Sequence, residues 1–274
     1  MQAIYIPIQS LHPFAGHPYK VQDNDEMNRL IESIQEQGVL TPLIVRPLED
    51  TAAEYEVISG HRRLRAAQKA GLKEVPAFIH AVDRDEAAIQ LVDSNLHREN
   101  ILPSEKAYAY KLKMDALNHQ GRTSGQLGQK WSREYVSDTD SGRQVQRYIR
   151  LTHLLPGLLD LLDEGRIAFT VGVELSYLTA EEQRAVLEAI DLYDCTPSYS
   201  QACRMHRESE AGGVHNRIEA ILAEEKPNQR EKVSFQYADL KKYFPSSYTP
   251  KQISDAILRL VEADYRRRRD RDAR

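Results

Sequence analysis

The chain has 274 residues, 41% of them hydrophobic and 28% charged, with a formal net charge of −4. This suits a globular chain of one or two domains and is too apolar for disorder throughout. No apolar run reaches the length of a membrane span, residues 1–7 lack the blocks of a signal peptide, and Cys195 and Cys203 match neither a CxxC pair nor a zinc cluster. The expectation is a cytoplasmic protein with no membrane partner, whose cysteines are ordinary thiols.

Met27, Leu30, Ile31 and Ile34 have the i, i+3, i+4, i+7 spacing of an amphipathic helix, with Gly38 as its stop. Residues 43–45 and 55–58 read as short strands. Gly60 then turns the chain into a helix over 64–70 that Gly71 ends. Residues 75–79 read as a strand and 85–96 as a helix, which completes a small α/β unit. Past Pro103 the pattern turns helical, with Ser104 expected to cap a long helix reaching about His119. From there to about residue 225 only helices are predicted, one of them behind the Thr179/Glu182 capping box. Gly212 and Gly213 mark a break, 227–230 a linker, and Thr249-Pro250 the start of a last helix. The predicted fold class is α+β. An N-terminal α/β domain (1–102) precedes an all-α domain (103–226) and a mainly helical C-terminal segment (227–274).

A net charge of −4 does not announce a nucleic-acid binder, but phosphates respond to local rather than average charge. Arginines cluster at 62–65, 143–150 and 266–269. In the second cluster Ser141 and Gln144 have capping-box spacing, so a helix should begin there. At 100° per residue Arg143, Gln146, Arg147 and Arg150 share one face, and Val145, Tyr148, Ile149 and Thr152 lie on the other. Arginine can take guanine and glutamine adenine in the major groove, and arginines also hold phosphates. Ser141, Arg143, Gln144, Gln146, Arg147 and Arg150 are therefore the candidate DNA-binding residues. Residues 132–137 would be the first helix of a helix-turn-helix at about 132–152, with 138–140 as the turn. The plain alternative is a solvated helix face.

In the first domain, Gly60-His61-Arg62-Arg63-Leu64-Arg65 sets a glycine turn and clustered cations at a helix start. Backbone N–H groups there attract anions, and glycine permits close approach. This could cradle a polyphosphate or be a basic surface turn. A second polar group, Asp93 to Asn100, includes Asn95 and Arg98; by itself it reads more readily as a polar helix end than as a binding group.

Five stretches taken in order resemble the ParB family of centromere-binding partition proteins over about residues 4–165. They are Leu40 to Arg46, the box Gly60 to Ala67, the box Ser94 to Glu99, Ser104 to Tyr110, and Gln144 to Leu151. The resemblance implies a sulfiredoxin-like first domain that binds CTP with Mg²⁺ and gates a clamp, and a helix-turn-helix that binds a palindromic parS site as a homodimer. Carried over, Gly60, His61, Arg62, Arg63, Arg65, Asn95 and Arg98 are nucleotide-side residues, and Asn95 would help hold the metal.

Departures accompany the match. His61 and Ser94 stand where the family has acids, and Mg²⁺ prefers anionic oxygen. The expectation is CTP binding with weak or absent hydrolysis, and His61 could add a phosphate contact. His17-Pro18-Tyr19-Lys20-Val21 stands where the family has a Gln-Pro-Arg-Lys-Thr-like segment, so Lys20 remains but a hydroxyl and an arginine do not. The domain begins almost at Met1, so an N-terminal tail for a ParA-type ATPase is not expected and that partnership is in doubt. Ile253, Ile257, Leu260 and Val261 form a stripe for the core or for a second copy, and the arginine tail could hold DNA non-specifically. Two other classes compete. One is a transcriptional regulator that uses no nucleotide. The other is an enzyme, but sulfiredoxin chemistry needs a first-domain cysteine and a nuclease needs clustered acids.

Overall fold

The computed structural model describes residues 2–48, 53–96, 98, 100–123, 136–214 and 217–224, with 243–245, 248–249, 252–253, 256–263 and 265. The chain forms two compact units, Met1–Glu224 and Glu225–Arg274. Among the described residues no helix is long and apolar enough to cross a membrane, and no His, Cys, Asp and Glu cluster could hold a metal. The fold is α+β, as its mixed sheet and succession of helices show.

The sheet is built from β1 (Ile4–Pro7), β2 (Leu11–Pro13), β3 (Leu43–Pro47), β4 (Tyr55–Ser59) and β5 (Glu74–Ile79), in the order β1-β5-β3-β4-β2. The pairs β1/β5 and β3/β4 are antiparallel, and β3/β5 and β2/β4 are parallel. Side chains alternate across it. Leu43, Val45 and Val57 pack on one face with Met27 and Ile34 of α1 (Asp25–Gln37) and Leu64 and Ala67 of α2 (His61–Lys69). Ile44 and Ile58 meet Ala87, Ala88, Leu91 and Val92 of α3 (Arg84–Leu96) on the other face. On that second side Arg46 and Glu56 form a buried ion pair at 2.7 Å, and Glu56 also accepts the Ala15 N–H. The outer strands β1 and β2 were not anticipated: each is short, ends in proline, and lies at a sheet edge, where a missing N–H is tolerated.

α4 (Pro103–Thr123) packs on α3 and passes into a helical layer of α5 (Gly142–Leu151), α6 (Pro156–Asp163), α7 (Phe169–Leu175), α8 (Ala180–Tyr193), α9 (Tyr199–Glu210) and α10 (Ile218–Ala223). Its core runs from Ala107 and Leu151 through Leu158, Leu175 and Ile190 to Met205 and Ile221. The Thr179/Glu182 capping box forms, and Ser198/Gln201 forms a second that was not anticipated. Ser104 is not the cap of α4. Pro103 holds the first helical position, and Ser104 lies buried one residue in, its N–H and hydroxyl both bound to Asp163. In the second unit, Thr249 accepts the Gln252 N–H as a cap should; Ile253 is buried, whereas Leu260 and Val261 are exposed. Pro250, the linker at 227–230 and the arginine tail at 266–274 lie outside the described residues.

Candidate nucleotide cleft and DNA-reading helix

The first site sits where β4 turns into α2. Gly60 adopts φ 107°, a left-handed conformation that suits glycine, and a Cβ there would stand 3.0 Å from Leu43 Cγ. The helix starts at His61 rather than at Leu64, so its free N–H groups open next to the turn. A cleft of about 200 Å³ lies there, lined by residues that include Gly60, His61, Arg62, Arg63, Asn95 and Arg98. It adjoins a larger hollow of about 630 Å³ that shares Lys20, Arg62 and Arg98 with it and adds Glu26 and Glu105. The fold thus brings the two polar boxes together, although more than twenty residues separate them in sequence.

The members differ in what they can offer. Arg62 pairs with Glu26 at 3.0 Å while about 40% of its side chain stays exposed. Arg63 is spent on structure: its Nη1 donates to the Thr41 and Pro42 carbonyls and ties α2 to the start of β3. Arg65 does not line the cleft; it pairs with Asp23 at 3.2 Å, and Lys69 shares that carboxylate. Asn95 donates through Nδ2 to the Leu91 carbonyl at 2.8 Å, and Arg98 is exposed. His97 and Glu99 lie outside the described residues.

His61 lines the cleft as an uncharged ring. It accepts the Phe14 N–H on Nε2 at 3.4 Å, and its ring lies 3.7 Å from that of His17. Burial, with His17 adding to it, pushes its pKa down to about 3. Burial, opposed by a backbone bond at Tyr19 and aided by Arg98, also lowers that of His17. The pair is neutral at physiological pH. In this arrangement His61 therefore offers a phosphate a neutral Nδ1–H rather than a positive charge.

The second site is the start of α5. Ser141 is its N-cap and accepts the Gln144 N–H at 3.3 Å; the Gln144 side chain turns instead to Arg147, also at 3.3 Å. A polar knot braces the turn before it. Tyr110 of α4 donates to Asp140 at 2.6 Å and reaches Ser137 at 3.1 Å, and Lys106 pairs with Asp140 at 2.6 Å. The Lys106 ammonium also stands over the Tyr110 and Tyr148 rings. Its pKa is raised overall: burial pulls it down, but Asp140 and the two tyrosines outweigh that. Below the knot Val145 is buried among Tyr110, Leu117 and Val136. Val136 and Ser137 are not helical, because the Ser137 hydroxyl accepts the Thr139 and Asp140 N–H groups and makes a turn there. The rest of the predicted first helix, 132–135, lies outside the described residues.

The free face of α5 is narrower than a helical wheel implies. Arg143 is exposed and Gln146 half-buried. The Arg147 guanidinium covers the Phe169 ring at 4.9 Å. Arg150 donates to the Ser176 carbonyl at 2.8 Å and stacks on Tyr177 at 4.1 Å, with its Nε buried and unpartnered among the described residues. Arg150 is therefore a strut to α7, and the part of this face left free is the first turn and a half of α5.

Residues 1–96 match the family model described as the ParB N-terminal domain. Similar curated proteins include the chromosome-partitioning protein ParB of Caulobacter vibrioides, 37% identical over 134 residues, which are 48% of this chain and 43% of that protein. The chromosome-partitioning protein Spo0J of Thermus thermophilus is 34% identical over 165 residues, 60% of this chain and 56% of that one. The chain thus carries a match to the ParB N-terminal domain over its first 96 residues and is similar to ParB proteins over about half its length. It spans about half the length of these ParB relatives. A C-terminally truncated Caulobacter crescentus ParB has been solved with the centromeric parS site (TM-score 0.43, 24% identity, 75% of this chain and 99% of that one). It has also been solved with CTP-gamma-S (TM-score 0.34, 27% identity, 70% and 99%).

Proposed function

We propose that the protein binds a parS-like palindrome as a homodimer in chromosome, plasmid or mobile-element partition, gated by CTP bound in the cleft at Gly60, and that it works in the cytoplasm on the nucleoid or a plasmid. The observation that carries the DNA part is the capped start of α5. The knot of Lys106, Asp140 and Tyr110 fixes its direction, and Arg143 is exposed beside Gln146. Pre-set side chains lose little entropy on entering a groove. Arg143 and Gln146 read bases, Ser141, Gln144 and Arg147 serve the adjacent phosphates, and Arg150 acts through its hold on α7. The exposed Leu260 and Val261 leave a surface for the second copy, as a palindromic site requires.

The cleft fits a nucleotide's phosphates. Lys20, Arg62 and Arg98 face a common hollow at a helix start where a Cβ would clash. Bound CTP would meet the exposed Arg98 directly and compete with Glu26 for Arg62. Gly60 lets the chain approach that charge, Arg63 fixes the loop, and Asn95 offers an amide oxygen. The fit to Mg²⁺ is poorer, since no metal-holding cluster exists among the described residues and Asn95 is uncharged. The neutral His61 also lacks the charge of the acid it replaces. CTP binding without efficient hydrolysis follows. The same shortage of metal ligands favours one second reading, a nucleotide-independent transcriptional regulator. Calorimetric titration with CTP, with and without Mg²⁺, separates the two, and selection from randomised duplexes tests the palindrome. Absence of CTP binding would overturn the gate, and absence of any preferred duplex would overturn the DNA reading.

A further inference from the structure

Lys20 lines the cleft beside Gly60, the larger hollow next to it, and an apolar groove of about 410 Å³ on its other side. Pro18, Tyr108, Pro156 and Leu159 line that groove, which runs between the segment at 16–20 and α6. The Lys20 ammonium bridges it, pairing with Asp163 at 3.2 Å and Asp160 at 3.5 Å near the end of α6. Its pKa is raised overall, because these two carboxylates outweigh the effect of burial. Asp163 is almost buried and also holds the start of α4 through Ser104, whereas Asp160 is exposed. The Lys20 N–H adds a bond to Glu105 of α4 at 2.8 Å.

One ammonium therefore faces two kinds of anion. Its single charge is shared among the anions it meets, so a phosphate chain in the cleft draws on the same ammonium that the two carboxylates on α6 hold. We propose that Lys20 is an exchangeable tether: a polyphosphate in the cleft takes it from Asp160 and Asp163, and this loosens the 16–20 segment from α6. The proposal rests on the nucleotide reading of the cleft and assigns its regulation. By linkage the coupling runs both ways, so whatever draws α6 away from Lys20 raises the affinity of the cleft for its anion by the same factor. α6 shares its core with Leu151 at the end of α5, which places the tether on a continuous packed path to the DNA-reading helix.

The test titrates inorganic tripolyphosphate and CTP into the full chain by calorimetry. It compares the wild type with the isosteric double variant D160N/D163N and with K20A, and follows hydrogen exchange over 156–163. The exposed Lys20–Asp160 pair sets the lower scale, so removing the competing carboxylates should tighten binding by at least about two- to fivefold. K20A should weaken it. Saturating ligand should speed exchange at the end of α6 in the wild type and change little in the double variant. If the double variant fails to fold because Asp163 also holds Ser104, D160N alone should give a smaller gain in the same direction. Unchanged affinity in D160N or the double variant, with weaker binding in K20A, overturns the tether and leaves the nucleotide reading standing. No binding of either probe to the wild type overturns both.

Discussion

Acid should unfold this protein partly through one histidine. His61 has an ordinary pKa of 6.5 and is held at about 3 in the native state, first by burial and then by His17. The unfolded chain takes up the proton that the folded protein refuses. The stability that this linkage governs is complete above pH 6.5 and is lost as pH falls from there toward 3. At pH 5 the solution is one and a half units below the ordinary value, which amounts to about 2 kcal/mol at about 1.36 kcal/mol per unit. For a protein of marginal stability that is a large fraction of the total. The variant His61→Gln isolates the effect, since its side-chain oxygen can still accept the Phe14 N–H but does not titrate. Urea unfolding at pH 8 and pH 5 should show the wild type losing about 2 kcal/mol more than the variant over that interval. Equal losses would mean that His61 is not a buried neutral group, and the account of the cleft as lacking a cation at this position would fail with it.

Three further outcomes follow from the geometry. Arg143→Ala and Gln146→Ala should each weaken binding to the preferred duplex by about 1–3 kcal/mol with little change in melting temperature, whereas Arg150→Ala should cost about 1–3 kcal/mol of stability by freeing the Ser176 carbonyl; fluorescence anisotropy and thermal melts separate the two classes. Tyr110→Phe removes the hydroxyl that reaches Asp140 and Ser137, and urea titration should show a loss of about 1–3 kcal/mol. Gly60→Ala forces a Cβ to 3.0 Å from Leu43 in a left-handed backbone, and should cost about 1–3 kcal/mol and weaken CTP binding, both measurable by calorimetry.

Local rules reach the elements whose cause is local. Met27 and Ile34 are buried as their spacing demands, Ser141 and Thr179 cap their helices, and Gly71 follows the end of α2 with φ 78°. They do not reach β1 and β2, because three or four residues ending in Pro13 or Pro7 carry too little alternation to register, and only β4 and β5 make them strands. Ser104 misleads for a related reason. Its hydroxyl has a capping partner's chemistry, but Pro103 has already taken the first helical position and Asp163, far along the chain, supplies the bond.

The same division decides the functional surfaces. The two polar boxes are readable as boxes, but their meeting at one cleft depends on β4 and α3 crossing, and the neutrality of His61 depends on Phe14 and His17 arriving from a loop. In α5 the angular step of an ideal helix groups Arg143, Gln146, Arg147 and Arg150 as equals. The return of the chain through α7 then sorts them, laying Phe169 under Arg147 and Tyr177 with the Ser176 carbonyl against Arg150. A side chain already bonded on its own protein gains less from a base than a free one, since the old contact is lost as the new one forms. The helix should therefore read DNA from its first turn and a half, where Ser141, Arg143 and Gln146 follow the braced Asp140, and loss of specificity should track those positions rather than the total number of arginines on the face.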